Sequence, residues 1–439
     1  MRIHKGDRNM RRFLLDELNK WKDKTNRKPL ILQGARQVGK TWLVKEFGRV
    51  SFENTVYINF DRQKELHELF QETLEPDRIL QALSAISGER IDPDHTLIIF
   101  DEVQEEPRAL TSLKYFQEEA PEYAIIATGS FMGIALHQGT SFPVGKVDHM
   151  KLHPMTFREF LCAVGKEGID QVLREKDLQM IRVLRPKMIE LLRTYYAVGG
   201  MPEAVLTYLE TKDFYQVRQK QELLLDYYRM DFSKHARPHL VSRLNQVWDA
   251  IPAQLAKENR KFIYGQIAKG ARAKDFELAL QWLSDCGLIH IVHRVSKPGM
   301  PLKAYEELSA FKVYLNDVGL LGAMGGLPVS SIMNGHRLFE EFKGALSEQY
   351  VLTQLVGDVD VPVYYYSSEN SRGEIDFLIQ RNECIMPIEV KAEENLQAKS
   401  LRAFVRKYPD AKAVRISMSD YREQDWLVNL PLYAFMTLI

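Results

Sequence analysis

The 439-residue sequence predicts an α/β fold on three observations. Short, continuous apolar runs alternate with helical stretches through the first 155 residues. That is the pattern of a parallel sheet covered on both faces. One run leads directly into a glycine-containing loop and then a helix. A second α/β pattern follows the glycine-rich break Gly322-Ala323-Met324-Gly325-Gly326-Leu327-Pro328.

The elements follow in order. Residues 8–22 carry Phe13, Leu14, Leu18 and Trp21 at helical spacing among charges, which predicts a surface helix. Strands are expected at 30–33, 55–60, 96–100, 123–127 and 147–152. Residues 155–235 are periodic at helical spacing, most clearly at 179–198 and 214–228, and predict a helical lid. Residues 236–325 predict helices near 240–257 and 273–286, then strands at 288–295 and 302–313. Ser296-Lys297-Pro298-Gly299-Met300-Pro301 is the turn between those strands. Two helices and a β-wing describe a winged helix-turn-helix. Beyond the glycine-rich linker, a helix at about 335–355, strand-like runs and a helix near 400–408 predict a separate α/β domain. The expected division is therefore 1–155, 156–235, 236–325 and 330–439.

Composition sets limits. Hydrophobic content of 45% and charged content of 27% are those of a globular protein. The formal net charge is zero, so any nucleic-acid surface must be local. Cys162, Cys286 and Cys384 share no C-x-x-C spacing, which argues for a reducing compartment and against a disulfide framework or structural zinc. The charged Met1-Arg2-Ile3-His4-Lys5-Gly6-Asp7-Arg8 has no apolar segment behind it. No stretch approaches the run of about 18 apolar residues that a membrane span needs. The expectation is a cytoplasmic protein without a membrane partner.

Gly34-Ala35-Arg36-Gln37-Val38-Gly39-Lys40-Thr41 fits the phosphate-binding P-loop, G-x-x-x-x-G-K-[ST]. It lies between the short apolar run Pro29-Leu30-Ile31-Leu32-Gln33 and a helix expected over Thr41–Phe47. Backbone N–H groups of such a turn point inward at a phosphate, and the helix N-terminus adds its positive end. The expected nucleotide contacts are Gly34 through Trp42. Lys40 reaches the β- and γ-phosphates, and the Thr41 hydroxyl ligates Mg²⁺. Leu97-Ile98-Ile99-Phe100-Asp101-Glu102 has the form of a Walker B strand. There Asp101 holds Mg²⁺ through water, and Glu102 orients or deprotonates the attacking water. The run ending Ala127-Thr128-Gly129-Ser130 offers a polar side chain for the γ-phosphate. Thr128 and Ser130 both qualify.

These motifs together resemble a widespread group of predicted prokaryotic ATPases of the AAA+ superfamily. Ser141-Phe142-Pro143-Val144-Gly145-Lys146-Val147, Pro154-Met155-Thr156-Phe157-Arg158-Glu159-Phe160 and Tyr196-Ala197-Val198-Gly199-Gly200-Met201-Pro202-Glu203 extend the resemblance over nearly the whole length. It implies ATP and Mg²⁺ as cofactors, and an ATPase core coupled to a winged helix and a C-terminal restriction-endonuclease-like domain. Gly199-Gly200-Met201-Pro202 also looks like the element that STAND-type ATPases place against adenine. On that reading Pro202 offers a flat apolar face; the alternative is a helix-breaking turn between lid helices. An arginine finger is expected of such enzymes, and Arg158 and Arg193 are the candidates by position.

In the C-terminal region, Arg372-Gly373-Glu374-Ile375-Asp376-Phe377-Leu378-Ile379 is a turn feeding a strand. Met386-Pro387-Ile388-Glu389-Val390-Lys391 is a second strand, with Glu389 and Lys391 on one face. A hairpin through residues 380–383 brings Asp376 beside Glu389. This is the D…E-x-K arrangement of PD-(D/E)xK nucleases, which Glu348 on the preceding helix completes. Glu348, Asp376 and Glu389 are the expected metal ligands; Asp376, Glu389 and Lys391 are the expected catalytic set.

Between Lys234 and Lys297 there are 11 Lys/Arg against 5 Asp/Glu, and Arg260, Lys261, Lys269, Arg272 and Lys274 cluster there. That patch favours DNA as a partner. Two functions follow: an ATPase whose nucleotide state controls a DNA-directed nuclease-like domain, or a STAND-like nucleotide-switched sensor that self-associates or recruits a protein without cleaving.

Overall fold

The computed structural model describes residues 10–130, 143–257, 261–334, 337–368, 373–393 and 398–439. Ser141, Phe142, Arg260, Gly335 and Arg372 lie outside them. The protein is α/β throughout and divides into two compact units.

The first unit comprises Arg12–His153 with Trp282–Leu288. Its sheet holds β1 (Leu30–Gln33), β2 (Asn54–Asn59), β3 (Thr96–Asp101), β4 (Ala124–Thr128) and β5 (Asp148–Lys151). All are parallel, in the order β2-β3-β4-β1-β5. Helices α1 (Leu14–Lys22), α2 (Lys40–Ser51), α3 (Leu66–Glu72), α4 (Pro76–Ser87) and α5 (Pro107–Glu119) surround it. Every residue of β3 and β4 is buried, which is why both strands read as unbroken apolar runs. Phe60, Phe70 and Phe100 meet edge to face, with ring centroids 5.5–5.8 Å apart, in a core with Ile58, Ile98 and Leu113. The topology places β4 between β1 and β3. The loop after β1 and the carboxylates at the end of β3 therefore flank the end of β4.

The second unit comprises Pro154–Gln281 and Ile289–Ile439. Its helical part runs through α6 (Phe157–Ala163), α7 (Glu167–Glu175), α8 (Leu178–Val183), α9 (Arg185–Val198), α10 (Pro202–Thr211), α11 (Phe214–His235), α12 (Pro238–Leu255) and α13 (Ala273–Asp285), whose last turn belongs to the first unit. A capping box opens α6: the Glu159 N–H donates to Thr156 Oγ1 at 3.3 Å, and the Thr156 N–H donates to Glu159 Oε2 at 3.0 Å. Arg158 on the same turn donates to Asp170 at 2.7 Å and to Asp358 at 3.2 Å, a buried ion triad.

The Gly199-Gly200-Met201-Pro202 turn is fixed by packing. A Cβ on Gly200 would stand 2.0 Å from the Met155 carbonyl oxygen. The Gly200 N–H donates to Asp317 Oδ2 at 2.6 Å. Burial pushes the Asp317 carboxyl up to about 6, opposed by the N–H groups of Gly200, Leu320 and Gly319. Pro202 opens α10, where a missing N–H costs nothing.

Next come β6 (Ile289–Val295), β7 (Glu306–Leu315), α14 (Val318–Met324), α15 (Val329–Asn334), α16 (Arg337–Gly357), β8 (Val363–Ser367), β9 (Glu374–Arg381), β10 (Cys384–Val390), α17 (Lys399–Lys407), β11 (Ala413–Ser417), β12 (Arg422–Gln424), β13 (Leu427–Pro431) and α18 (Phe435–Leu438). Leu302–Tyr305, expected to be strand, forms a 3₁₀ turn. Pro301 before it has no N–H for a ladder, and the Leu302 N–H is taken by Gln380 Oε1 at 3.0 Å. The β6–β7 hairpin is not isolated. β6 pairs with β8 at Arg294↔Tyr365, giving one eight-stranded sheet, β12-β13-β11-β10-β9-β8-β6-β7. Among the described residues no helix is long and apolar enough to cross a membrane.

Candidate functional site

The loop after β1 is shaped for close approach. Gly34 passes the backbone after β5 so tightly that a Cβ would lie 2.4 Å from the Leu152 carbonyl oxygen. Gly39, at φ 95°, caps α2 from the left-handed region. Val38 and Ala35 are buried, and Val38 holds the loop from beneath: Arg12 donates to its carbonyl oxygen at 2.7 Å. Arg36 is exposed, while Gln37, Thr41 and Trp42 are half-buried at the loop and first turn of α2.

Lys40 is folded onto its own loop. Its Nζ donates to the carbonyls of Gly34 and Ala35, each at 2.8 Å, and to Ser130 Oγ at 3.1 Å. Burial lowers the Lys40 pKa to about 8, against the raising influence of Glu102 and Asp101. Only the ammonium form pairs with phosphate. Above pH 8 nucleotide binding must therefore take up a proton, and affinity is expected to fall about tenfold per pH unit. Titration with a fluorescent nucleotide from pH 7 to 10 checks this; a flat profile contradicts it.

Asp101 gathers the site. Its Oδ2 accepts from Thr41 Oγ1 at 2.9 Å and from the Tyr57 hydroxyl at 2.7 Å. Its Oδ1 accepts from Thr128 Oγ1 at 2.6 Å and from the Glu102 N–H at 3.1 Å. Thr128 and Ser130 thus both reach the site, Thr128 through Asp101 and Ser130 through Lys40. The hydroxyl of Thr41 and a buried carboxylate form an all-oxygen donor pair, which suits Mg²⁺. Glu102 sits at φ 53°, a left-handed conformation that costs of order 1 kcal/mol in a non-glycine residue. The Gln104 amide donates to its Oε2 at 2.6 Å and so orients the carboxylate.

Sequence reasoning missed two participants. Tyr57 reaches Asp101 because β2 pairs with β3 in the register Asn59↔Asp101. Burial, aided by Asp101, pushes its phenol well above the usual range, so it remains a donor. The second is the segment after α13. A Cβ on Gly287 would come within 3.3 Å of the Ala35 backbone nitrogen. Neither is visible without the topology.

In the other unit, β9 and β10 pair antiparallel with Phe377 opposite Ile388, so Asp376 and Glu389 are neighbours one step further on. The Val390 N–H donates to Asp376 Oδ2 at 2.8 Å. Lys391 pairs with Glu389 Oε1 at 2.9 Å. Glu389 is only 7% exposed, and its Oε2 is buried without a hydrogen-bond partner among the described residues. Arg415, also missed, stands opposite Glu389 in the β10–β11 register and is bonded to Asn429 at 2.8 Å. Glu348 is buried on α16, where the Tyr314 hydroxyl donates to it at 3.1 Å. Among the described residues no group of three or more His, Cys, Asp or Glu side chains is arranged to hold a metal. Asp376, Glu389 and Lys391 are thus brought together, and Glu348 does not join them in a three-carboxylate group. Arg193 donates to the Met333 carbonyl oxygen at 3.4 Å, and Arg158 is taken by its ion triad.

Residues 26–161 match an AAA domain. The AAA domain thus contains the whole P-loop, Asp101, Glu102, Thr128 and Ser130. Residues 189–331 match a domain of unknown function (DUF8612), and residues 343–435 match another (DUF4143). No match is found among curated proteins. Similar solved structures include a Walker-type ATPase of Pyrococcus abyssi, at 16% identity over 70% of this chain and 94% of that one, with TM-score 0.43. The Orc1 protein of Aeropyrum pernix, solved in complex with DNA, is similar at 12% identity over 75% and 96%, TM-score 0.32. Cdc6p of Pyrobaculum aerophilum is similar at 12% identity over 73% and 93%, TM-score 0.26.

Proposed function

We propose that the chain is an ATP-hydrolysing switch whose nucleotide state controls a nuclease-like C-terminal domain acting on DNA. One observation carries the ATPase half: Asp101 joins Thr41, Thr128, Tyr57 and the backbone of Glu102 in one network beside Lys40. Loop N–H groups wrap the phosphates, and Lys40 leaves its loop carbonyls to meet them. Ser130, released from Lys40, faces the γ-phosphate. Glu102, held by Gln104, takes the proton of the attacking water. Thr41 and Asp101 would hold Mg²⁺, which would neutralise the charge that develops in phosphoryl transfer. Gly287, beside Ala35, is placed to register whether the loop is occupied. Phosphate release by Lys40→Ala and Glu102→Gln variants tests this half.

The nuclease-like half rests on Glu389 Oε2, a buried acceptor with nothing to accept among the described residues. Asp376 and Glu389 would hold a divalent cation that would satisfy it and would supply Lewis-acid activation of a phosphodiester. Lys391 then leaves Glu389 to position the nucleophile. Residues 236–325 are proposed as a winged helix whose Lys269, Arg272 and Lys274 contact phosphates; all three side chains are exposed. Mg²⁺-dependent nicking of DNA that Asp376→Ala and Lys391→Ala each reduce at least 100-fold is the expected result. Intact DNA under Mg²⁺ and Mn²⁺ overturns it. Such an outcome favours the second reading, a nucleotide-switched scaffold, which the Lys391–Glu389 ion pair and the lack of a three-carboxylate group among the described residues support.

A further inference from the structure

The outward face of α17 is basic along its length. Exposed positions fall at Lys399, Arg402, Ala403, Arg406 and Lys407, the spacing of a single helical face. Four of the five are cations, and the helix contains no carboxylate. Among the described residues none of the four cations is in an ion pair. The inward face, Leu401 and Phe404, packs on Ile375, Leu378 and Leu427 of the sheet.

Two aromatic features accompany this face. Arg402 lies over the Trp426 ring at 5.1 Å. At the C-terminal end, a cavity of about 300 Å³ is lined by Phe404, Lys407, Tyr408, Pro298, Glu383 and Asp410, among others. The cavity is large enough for a nucleobase. Its aromatic residues supply stacking surface, and its two carboxylates supply acceptors for an exocyclic amine. The sheet register gives this face its direction. Leu378 lies opposite Pro387, so Glu389, two residues further along β10, shares a side of the sheet with Leu378, the side α17 covers. Lys399 follows β10 and the acidic pair in sequence, and Lys407 lies at the cavity. Nine residues span about 13 Å, long enough to meet more than one phosphate of a strand.

We infer that α17 is a track for single-stranded nucleic acid, its cations on successive phosphates and one unpaired base in the cavity beside Tyr408. The charge selects a polyanion, and the base-sized aromatic cavity selects an unpaired strand over a duplex. The inference deepens the proposed nucleic-acid reading and rests on it, but it concerns binding alone.

The test is fluorescence anisotropy of the full chain with a 12-nucleotide oligo-dT in EDTA, over a range of salt. Lys399→Gln/Arg402→Gln/Arg406→Gln/Lys407→Gln should weaken binding at least tenfold and reduce the salt slope by about 2–3, at about 0.7 per phosphate contact. ATPase activity and thermal melting should stay unchanged, since these side chains are exposed. A 2-aminopurine base should be quenched on binding and recover in the variant. Lys269→Gln/Arg272→Gln/Lys274→Gln is the comparison. Loss of binding there and not in the α17 variant overturns the track while leaving the proposed function standing. Absence of any binding to oligo-dT or to duplex overturns both. Unchanged affinity in the α17 variant, or its preference for anionic vesicles of phosphatidylserine over oligo-dT, also overturns the track.

Discussion

Lys40→Ala is expected to abolish ATP hydrolysis and to weaken nucleotide binding at least tenfold. Glu102→Gln is expected to keep binding and lose turnover by about 10²–10⁴-fold, the range for removing a positioned general base. The two differ because the side chains serve different states. In the proposed mechanism Lys40 meets the phosphates of the bound nucleotide and of the transition state alike, so its loss shows in affinity and in rate. In the same mechanism Glu102 meets a proton only as the water attacks. Its left-handed backbone and its bond from Gln104 make it a preorganised group. Gln104→Ala should therefore repeat part of the Glu102 effect, about tenfold in kcat with nucleotide affinity intact. Phosphate release and fluorescent-nucleotide binding read all three. An active Glu102→Gln protein would remove Glu102 from the chemistry. Normal nucleotide binding by Lys40→Ala would remove the P-loop reading.

The nucleotide half was legible because its chemistry is contiguous in sequence. A strand, eight loop residues and a helix carry the P-loop, and a single strand carries Asp101 and Glu102. What sequence lacked was lateral order. Nothing in residues 54–59 says that β2 lies beside β3, so Tyr57 could not be assigned to Asp101. Thr128 and Ser130 could not be separated either, because both reach the site, one bonded to Asp101 and one to Lys40. The C-terminal set was legible only as far as one hairpin. Asp376, Glu389 and Lys391 follow from a turn and a period of two. Arg415 needs the parallel β10–β11 pairing, and the environment of Glu348 needs Tyr314 from β7. The β6–β7 hairpin read as a wing because its own strands are adjacent in sequence. Its bond to β8 is a long-range fact, a single register pair between Arg294 and Tyr365.

Arg158→Ala is expected to destabilise the second unit by about 3–5 kcal/mol, the range for breaking a buried ion pair from one side. Arg158 is 15% exposed, and its partners Asp170 and Asp358 are 4% and 6% exposed. Removing it strands the buried Asp358, while Asp170 keeps its pair with Arg174 at 3.0 Å. Burial already holds the Asp358 carboxyl up at about 6, with Arg158 pulling the other way. Without the guanidinium it rises further. A carboxyl whose folded pKa exceeds its unfolded value favours the fold below the unfolded pKa, and that contribution is lost as pH rises through the folded one. The variant should therefore be closest to wild type near pH 4–5 and most impaired at pH 8. Arg158→Lys should rescue little, because one ammonium cannot present the Nε and Nη1 donors that meet the two carboxylates. Arg158→Ala/Asp358→Asn should recover part of the loss, since it removes one stranded charge. Urea unfolding of the full chain, followed by tryptophan fluorescence at each pH, measures these differences. The same variant also decides the arginine-finger question. If Arg158 serves transition-state charge, Arg158→Ala loses ATPase activity by about 10³-fold or more at unchanged stability. If the triad is structural, stability falls first, and the ATPase rate of the folded fraction is retained. The ion pairs to Asp170 and Asp358 favour the second outcome, because a guanidinium bound at both ends inside its own unit has no free face for a phosphate.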